Sequence, residues 1–310
     1  MKKETTKLLQ ELCQEMNIKI ENLSYGWIFK LSKDDKVRYI TGNFDINKTA
    51  SSKIACDKYA TFEVLKSQNI PVIKHTMVFN PEERKEYIKE DEIWAILYKE
   101  FDKDKKIVVK PNYGYEGKGV FLCSTLEETK KAVNLLLNKN TSISICPFYD
   151  IEKEYRAFYL NGKILLIYEK EKPLVIGNGE DNVKILVEKL NLPNNDVVKS
   201  NLSKIDMDYI PKKSEKIELS WKHNLYGGAT AKVIDKENIK YNEIRNLAIK
   251  SGKALDMTFA TIDIIKTKNS KLYVLEINSG VAASIFSRVV EHGKELTKEI
   301  YKKALIEIFK

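Results

Sequence analysis

The chain has 310 residues, 43% of them hydrophobic and 31% charged, and its excess of Lys and Arg gives a formal charge of +9. That length and composition suit a globular enzyme of two or three lobes with a substantial core. They exclude a disulfide or zinc framework, because Cys13, Cys56, Cys123 and Cys146 are far apart with no CxxC pair.

The opening stretch is charged and amphipathic rather than a signal peptide. No segment approaches the roughly 18 apolar residues of a membrane span. The expectation is a cytoplasmic protein with no membrane partner. The positive charge favours anionic partners such as nucleotides, acidic metabolites or carboxylate-rich peptides, and a lysine-rich solvated surface is the plainer reading. No arginine stripe or zinc-finger spacing points to nucleic acid.

In chain order, residues 5–16 read as a helix, followed by short strands near 18–20, 27–31 and 36–40. Together they form a small N-terminal lobe, residues 1–50. A single helix is expected over 51–68, then a strand ending near Phe79 and a helical surface stretch, 81–102. The apolar strand 107–110 leads into a glycine-containing loop and a second strand, 120–123, the order of an antiparallel flap. The helix 126–137 completes a lobe spanning 51–145.

The third lobe, 146–310, contains strands at 155–160 and 163–168 joined at Asn161-Gly162, a hairpin signal. Residues 181–192 read as helix, and the polar stretch 193–225 reads as loop. Helices at 242–255 and 292–309 frame a last strand pair. The class is α+β, antiparallel sheets with helices packed on them.

That last pair, Thr261-Ile262-Asp263-Ile264-Ile265 and Leu272-Tyr273-Val274-Leu275-Glu276-Ile277-Asn278, is the most informative. A turn centred between Asn269 and Ser270 sets Asp263 opposite Glu276, with Asn278 on the same face. Ile262, Ile264, Leu275 and Ile277 then line the core face. Opposed carboxylates repel, so a positive group is expected between them. Hard oxygen ligands of this kind suit Mg²⁺; a solvent-facing sheet is the alternative.

Lys110 ends a buried strand just before Pro111-Asn112-Tyr113-Gly114-Tyr115-Glu116-Gly117-Lys118-Gly119. Glycines admit close approach of phosphate to the main chain, and Lys110 supplies a point charge. The GxxxxGK[ST] pattern is absent. Taken alone, the loop reads equally as a surface turn.

Five segments in order resemble the ATP-grasp superfamily: SSKIACDKYATFEVLKSQNIPV, IVVKPNYGYEGKGV, CPFYDIEKEYRAFYLNGKILLIYEK, NLYGGATAKV and TIDII…LYVLEINSG. The likeness is greatest to the ATP-grasp part of cyanophycin synthetases and bifunctional glutathione synthases. It implies two α+β lobes gripping ATP behind the short N-terminal lobe. Lys58 and Lys110 would hold phosphates, and Tyr113, Gly114, Gly117, Lys118 and Gly119 would belong to the closing flap. Cys146, Pro147 and Phe148 would form the adenine hinge through main-chain groups, and Glu154 would accept from ribose.

By the same resemblance Arg156 would steady the transferred phosphoryl group. Asp263, Glu276 and Asn278 would bind two Mg²⁺, or Mn²⁺, with Glu276 bridging. Asn224, Gly227 and Gly228 match a second glycine turn near the acceptor, with His223 beside it. Lys170 and Arg288 are candidates for the substrate carboxylate. The implied activity is an ADP-forming ligase that makes an amide through an acyl-phosphate, from small-molecule carboxylate and amine substrates. A ribosomal-peptide-modifying enzyme and a nucleotide-binding protein without turnover are the alternatives, and a homodimer is the assembly expected by analogy.

Overall fold

The structure is a computed structural model and describes residues 3–41, 44–190 and 192–310. The N-terminal part comprises α1 (Lys3–Glu15), β1 (Lys19–Leu23), β2 (Ile28–Lys33) and β3 (Lys36–Thr41). Leu9, Leu12 and Cys13, spaced three and four apart, turn one face of α1 inward. They join Phe29, Leu31 and Ile40 of an antiparallel three-stranded sheet. This core is not private to the N-terminal lobe, since it also takes in Phe158 and Tyr168 from the middle of the chain and Phe259 and Tyr301 from its C-terminal part. Phe44 stacks on Tyr301 with centroids 4.7 Å apart and meets Phe259 edge-on at 5.7 Å.

The helix expected over 51–68 is two helices, α2 (Thr49–Cys56) and α3 (Lys58–Ser67). The break falls at Asp57, whose extended backbone (φ −99°, ψ 112°) ends one helix while its Oδ1 caps the next by accepting from the Ala60 amide at 2.8 Å. Ala55, Leu65 and Ile70 pack into the core of the large C-terminal sheet rather than beneath the flap.

The second sheet is built from β4 (Thr76–Phe79), β5 (Ile107–Pro111), β6 (Phe121–Cys123) and β7 (Ser142–Pro147), in the spatial order β4-β7-β5-β6. The helices α4 (Glu90–Asp104) and α5 (Leu126–Leu137) cover it, and a Thr125–Glu128 capping box starts α5. Residues 112–120 join β5 to β6 antiparallel, with Val109 opposite Phe121, the strand–loop–strand arrangement expected of the flap.

The C-terminal part contains β8 (Ile151–Leu160), β9 (Lys163–Glu171), β10 (Leu174–Ile176), α6 (Val183–Glu188), α7 (Asp196–Leu202), β11 (Lys216–Glu218) and β12 (Thr230–Ile234). It continues through α8 (Asn242–Ala254), β13 (Phe259–Thr267), β14 (Leu272–Asn278), α9 (Phe286–Val289) and α10 (Gly293–Ile308). Five of these strands form an antiparallel sheet, β12-β9-β8-β13-β14. Asn161 and Gly162 turn β8 into β9, both in the left-handed region at φ 42° and 82°. One face of the sheet packs Ala157, Ile262, Ile264 and Ile277 against Ile244, Leu247 and Ala248 of α8. The opposite face carries the charged residues described below.

Residues 172–222 form an insert between β9 and β12 with a core of their own, centred on Val175, Val183, Val187 and Leu219. The polar stretch read as loop therefore contains α7, capped by Asn195 accepting from the Val198 amide, and β11 paired to β10. Among the described residues, no helix is long and apolar enough to cross a membrane.

Replacing Asp57 removes the cap of α3. Asp57→Ala is expected to lower stability by about 1 kcal/mol, read as a lower midpoint in urea unfolding with an unchanged slope.

Candidate functional site

Across β13 and β14, Asp263 is the partner of Glu276, and Thr261 that of Asn278. The expected pairing is present, but a turn centred between Asn269 and Ser270 is not its cause. Nearer the tip Ile265 faces Tyr273 and Lys266 faces Leu272, a register offset by one residue. A bulge after Asp263 restores the phase. Leu275 is the surplus residue. It leaves the core face, where Ile262, Ile264 and Ile277 are fully buried, and lies half-buried in a cluster with Ile265 and Tyr273.

A second bulge, between Phe158 and Tyr159, acts in the same way on the neighbouring hairpin. Continued from the Asn161-Gly162 turn without it, the ladder would set Glu154 against Glu169. With it, Glu154 faces Lys170.

The positive group between the two carboxylates is Arg156, the β8 partner of Asp263. Its Nε and Nη2 donate to Asp263 Oδ1 and Oδ2, both at 2.5 Å, and Nη2 lies 3.9 Å from Glu276 Oε1. Lys170 Nζ donates to Glu154 Oε1 at 2.5 Å and to Asp263 Oδ2 at 3.0 Å. Burial opposes the Asp263 charge, yet Arg156 and Lys170 hold its pKa down to about 2. Burial pushes Glu154 up, with Lys170 pulling the other way. His223 Nδ1 is buried without a hydrogen bond, 3.8 Å from Glu154 Oε2. Burial, Lys172 and Lys170 push its pKa down to about 4, so the imidazole is neutral at pH 7.

Lys110 is buried at the end of β5, and its ammonium makes no hydrogen bond or ion pair among the described residues. Lys58, at the start of α3, donates to the Asn112 and Gly114 carbonyls at 3.3 and 3.1 Å. Burial lowers its pKa, Glu276 opposes that shift and Lys110 adds to it, so the three groups feel one another's charge. Tyr113 donates to Asp57 Oδ2 at 2.6 Å, and that bond is the main cause of its pKa rising to about 12. Glu116, Gly117 and Gly119 are left-handed, at φ 60°, 71° and 66°. Lys118 pairs with Glu116 and stands over the rings of Tyr115 and Tyr226.

Asn224 reaches the flap directly, its Nδ2 donating to the Glu116 carbonyl at 2.7 Å. Its Oδ1 caps the short turn through Gly227 and Gly228. Arg288, on α9, donates to the Ser284 carbonyl. Sequence reasoning missed Lys222, whose Nζ donates to the Val120 carbonyl at 2.9 Å and the Gly117 carbonyl at 3.4 Å. Burial, with Lys204 nearby, lowers its pKa to about 8. The available signal was its place in Ser220-Trp221-Lys222-His223, directly before the Asn224 turn.

At the hinge, Cys146 is buried, with Sγ 3.7 Å from the Val108 carbonyl and its thiol pKa raised by burial. The Phe148 amide donates to the Lys106 carbonyl at 3.0 Å, so that donor is engaged within the sheet. The Phe148 ring meets Trp221 edge-on at 6.1 Å, and Lys106 Nζ lies 4.1 Å from its centroid. Ile73, Val108, Cys146 and Ile265 form the apolar floor where the two sheets meet.

Asp263, Glu276 and Asn278 present hard oxygen donors on one face, the type that suits Mg²⁺. No group of three or more His, Cys, Asp or Glu among the described residues could hold a metal. Asp263 is engaged by Arg156 and Lys170, and Asn278 Nδ2 donates to Glu276 Oε1, so an ion here would rely mainly on the Glu276 carboxylate and the Asn278 carbonyl oxygen and take its other ligands from phosphate and water.

Removing one buried cation would strand its partners. Lys170→Met is expected to cost about 3–5 kcal/mol, measured by urea unfolding at pH 7. The depressed pKa of Asp263 contributes stability that is present above its ordinary value of 3.8 and lost as pH falls towards about 2. Asp263→Asn should flatten the stability–pH curve over that window.

Residues 212–303 match the family described as the RimK-like ATP-grasp domain. The glutathione biosynthesis bifunctional protein GshAB of Clostridium perfringens (strain 13 / Type A) is 28% identical over 295 residues, covering 85% of this chain and 36% of that protein. A cyanophycin synthetase of Nostoc sp. (strain PCC 7120 / SAG 25.82 / UTEX 2576) is 27% identical over 237 residues, covering 71% and 25%. The chain therefore spans only about a third or a quarter of the length of these relatives. A solved bifunctional glutathione synthetase from Pasteurella multocida matches with a TM-score of 0.57 at 18% identity, over 96% of this chain and 44% of that one. The likeness in fold over nearly the whole chain agrees with the family match over residues 212–303 and with the ordered motifs: the protein has the ATP-grasp fold.

Proposed function

We propose that the protein is an ATP-dependent carboxylate–amine ligase that forms an amide through an acyl-phosphate. The observation that carries this reading is that Lys58, bonded to the flap carbonyls of Asn112 and Gly114, feels the charges of both Lys110 and Glu276, the last member of the Arg156–Asp263–Glu276 row. In this reading Lys58 and Lys110 would recognise phosphate and the carboxylates would face the metal beneath the glycine flap. The relatives named for glutathione biosynthesis and cyanophycin synthesis support an amino acid or small peptide as substrate.

In the proposed reaction a substrate carboxylate oxygen attacks the γ-phosphorus of ATP and ADP leaves. The amine then attacks the acyl carbon, phosphate departs with the C–O bond electrons, and the nitrogen loses a proton. Lys58, Lys110 and the flap amides hold the phosphates, and Arg156 meets negative charge as it spreads over the transferred group. Asp263, Glu276 and Asn278 would hold Mg²⁺, two ions in this reading, whose chemistry is to neutralise phosphate charge. The closed flap excludes water, the competing nucleophile. Nothing in the scheme requires a nucleophile from the protein, and Cys146, with its raised thiol pKa, is unsuited to be one.

The test is ADP release with Mg²⁺ and ATP across pooled amino acids and short peptides, followed by mass spectrometry. A pool-dependent product lighter than its two parents by one water supports the ligase. Turnover should fall at least about 100-fold in Glu276→Ala. ADP release that ignores the pool, or that survives in Glu276→Ala, would overturn the proposal. Lys110→Met should weaken ATP binding while leaving the unfolding midpoint no lower than that of the wild type, since its buried ammonium has no partner to lose.

A further inference from the structure

We propose that Lys222 and Asn224 form a latch that holds the glycine flap against the C-terminal part of the chain, making Lys222 a positioning residue for the flap. Three hydrogen bonds run from this short segment to one loop: Lys222 Nζ to the carbonyls of Val120 and Gly117, and Asn224 Nδ2 to that of Glu116. All three acceptors are main-chain groups of residues 116–120, so the bonds report where the loop lies and not which side chains it carries. They can be made together only with the loop down.

The landing point has the features that close contact needs. Gly117 is left-handed at φ 71°, and a Cβ there would lie 2.4 Å from Asn224 Nδ2. The left-handed backbone disfavours a side chain here, and a Cβ would displace the Asn224 amide. The latch is itself held firmly. Asn224 Oδ1 accepts from the Tyr226 amide, and Asn195 of the insert donates to the Tyr226 carbonyl at 2.8 Å. Val197 lies against Gly227, and Leu192 against Gly228. The insert over residues 172–222 thus carries Lys222 and braces the turn that carries Asn224.

The role in catalysis rests on the ligase reading, but the latch can be tested without it. Tyr115 is exposed on the flap and Tyr87 is exposed elsewhere. In a chymotrypsin digest of the full chain without nucleotide, the rate of cleavage after Tyr115 is measured relative to that after Tyr87. Lys222→Met and Asn224→Ala should each raise the ratio about ten-fold, the effect of losing one or two net hydrogen bonds, and Lys222→Arg should restore it. An unchanged ratio in both variants would overturn the latch.

Should Lys222→Met prove unstable in thermal melts, Gly117→Ala approaches the contact from the flap side. It should raise the same ratio, and an unchanged value would again overturn the latch. Where the wild type turns over, Lys222→Met should release more ADP per amide formed. An unchanged ADP-to-amide ratio would overturn the positioning role and leave the ligase reading intact. A wild type with no turnover would sink the ligase reading, with the latch decided by the digest.

Discussion

Most of what this protein can do depends on keeping Asp263 ionised in the interior of a sheet. An isolated buried carboxylate would take up a proton rather than stay charged. Here a guanidinium grips both oxygens and an ammonium reaches one of them. That network fixes Arg156, which fixes where positive charge is presented beside Glu276. It also engages Lys170 with Glu154, so two cations and two anions from three neighbouring strands make a nearly neutral set. Such a set is costly to assemble in a low-dielectric setting and costly to break. The result is a polar face held in place without rearrangement.

The sheet that holds the network has two unlike faces. The face against α8 is aliphatic and close-packed, so the strands cannot slide without exposing it. The charged face inherits that rigidity, because alternation along each strand ties the position of Asp263 to the burial of Ile262 and Ile264. Phe44, Phe259 and Tyr301 extend the same anchoring to the N-terminal strands, which share a core with the end of the chain.

The sequence disclosed what depends on short-range pattern. Alternation exposed β13 and β14, Asn161-Gly162 marked a hairpin, and the glycines after Lys110 marked a flap between strands. Features set by distant contacts or by competition were hidden. Asp57 lies inside an apparently continuous helical pattern, and only its capping bond to Ala60 divides it. Val183, Val187 and Leu219 are too sparse among polar residues to announce a separate core, and they become one only when β10 pairs with β11. Lys222 looked like one more solvated lysine in a lysine-rich chain, because its acceptors lie on a loop about a hundred residues away. Glu154 had no evident partner, since counting back from the hairpin turn sets it against another acid.

Both ladders that build the charged face contain a bulge between their turn and their functional residues. A bulge re-phases a strand by one residue. It therefore separates the tip of a hairpin from its base: the tip obeys the geometry of its own turn, while the base obeys the packing of the core. The distal turn of β13–β14 is buffered in this way from the carboxylates. A one-residue change of length there could be absorbed by removing or moving the bulge at Leu275, leaving Asp263 opposite Glu276. In such a hairpin the loop is free to drift in length over evolution, while the spacing of the acids behind it stays constant.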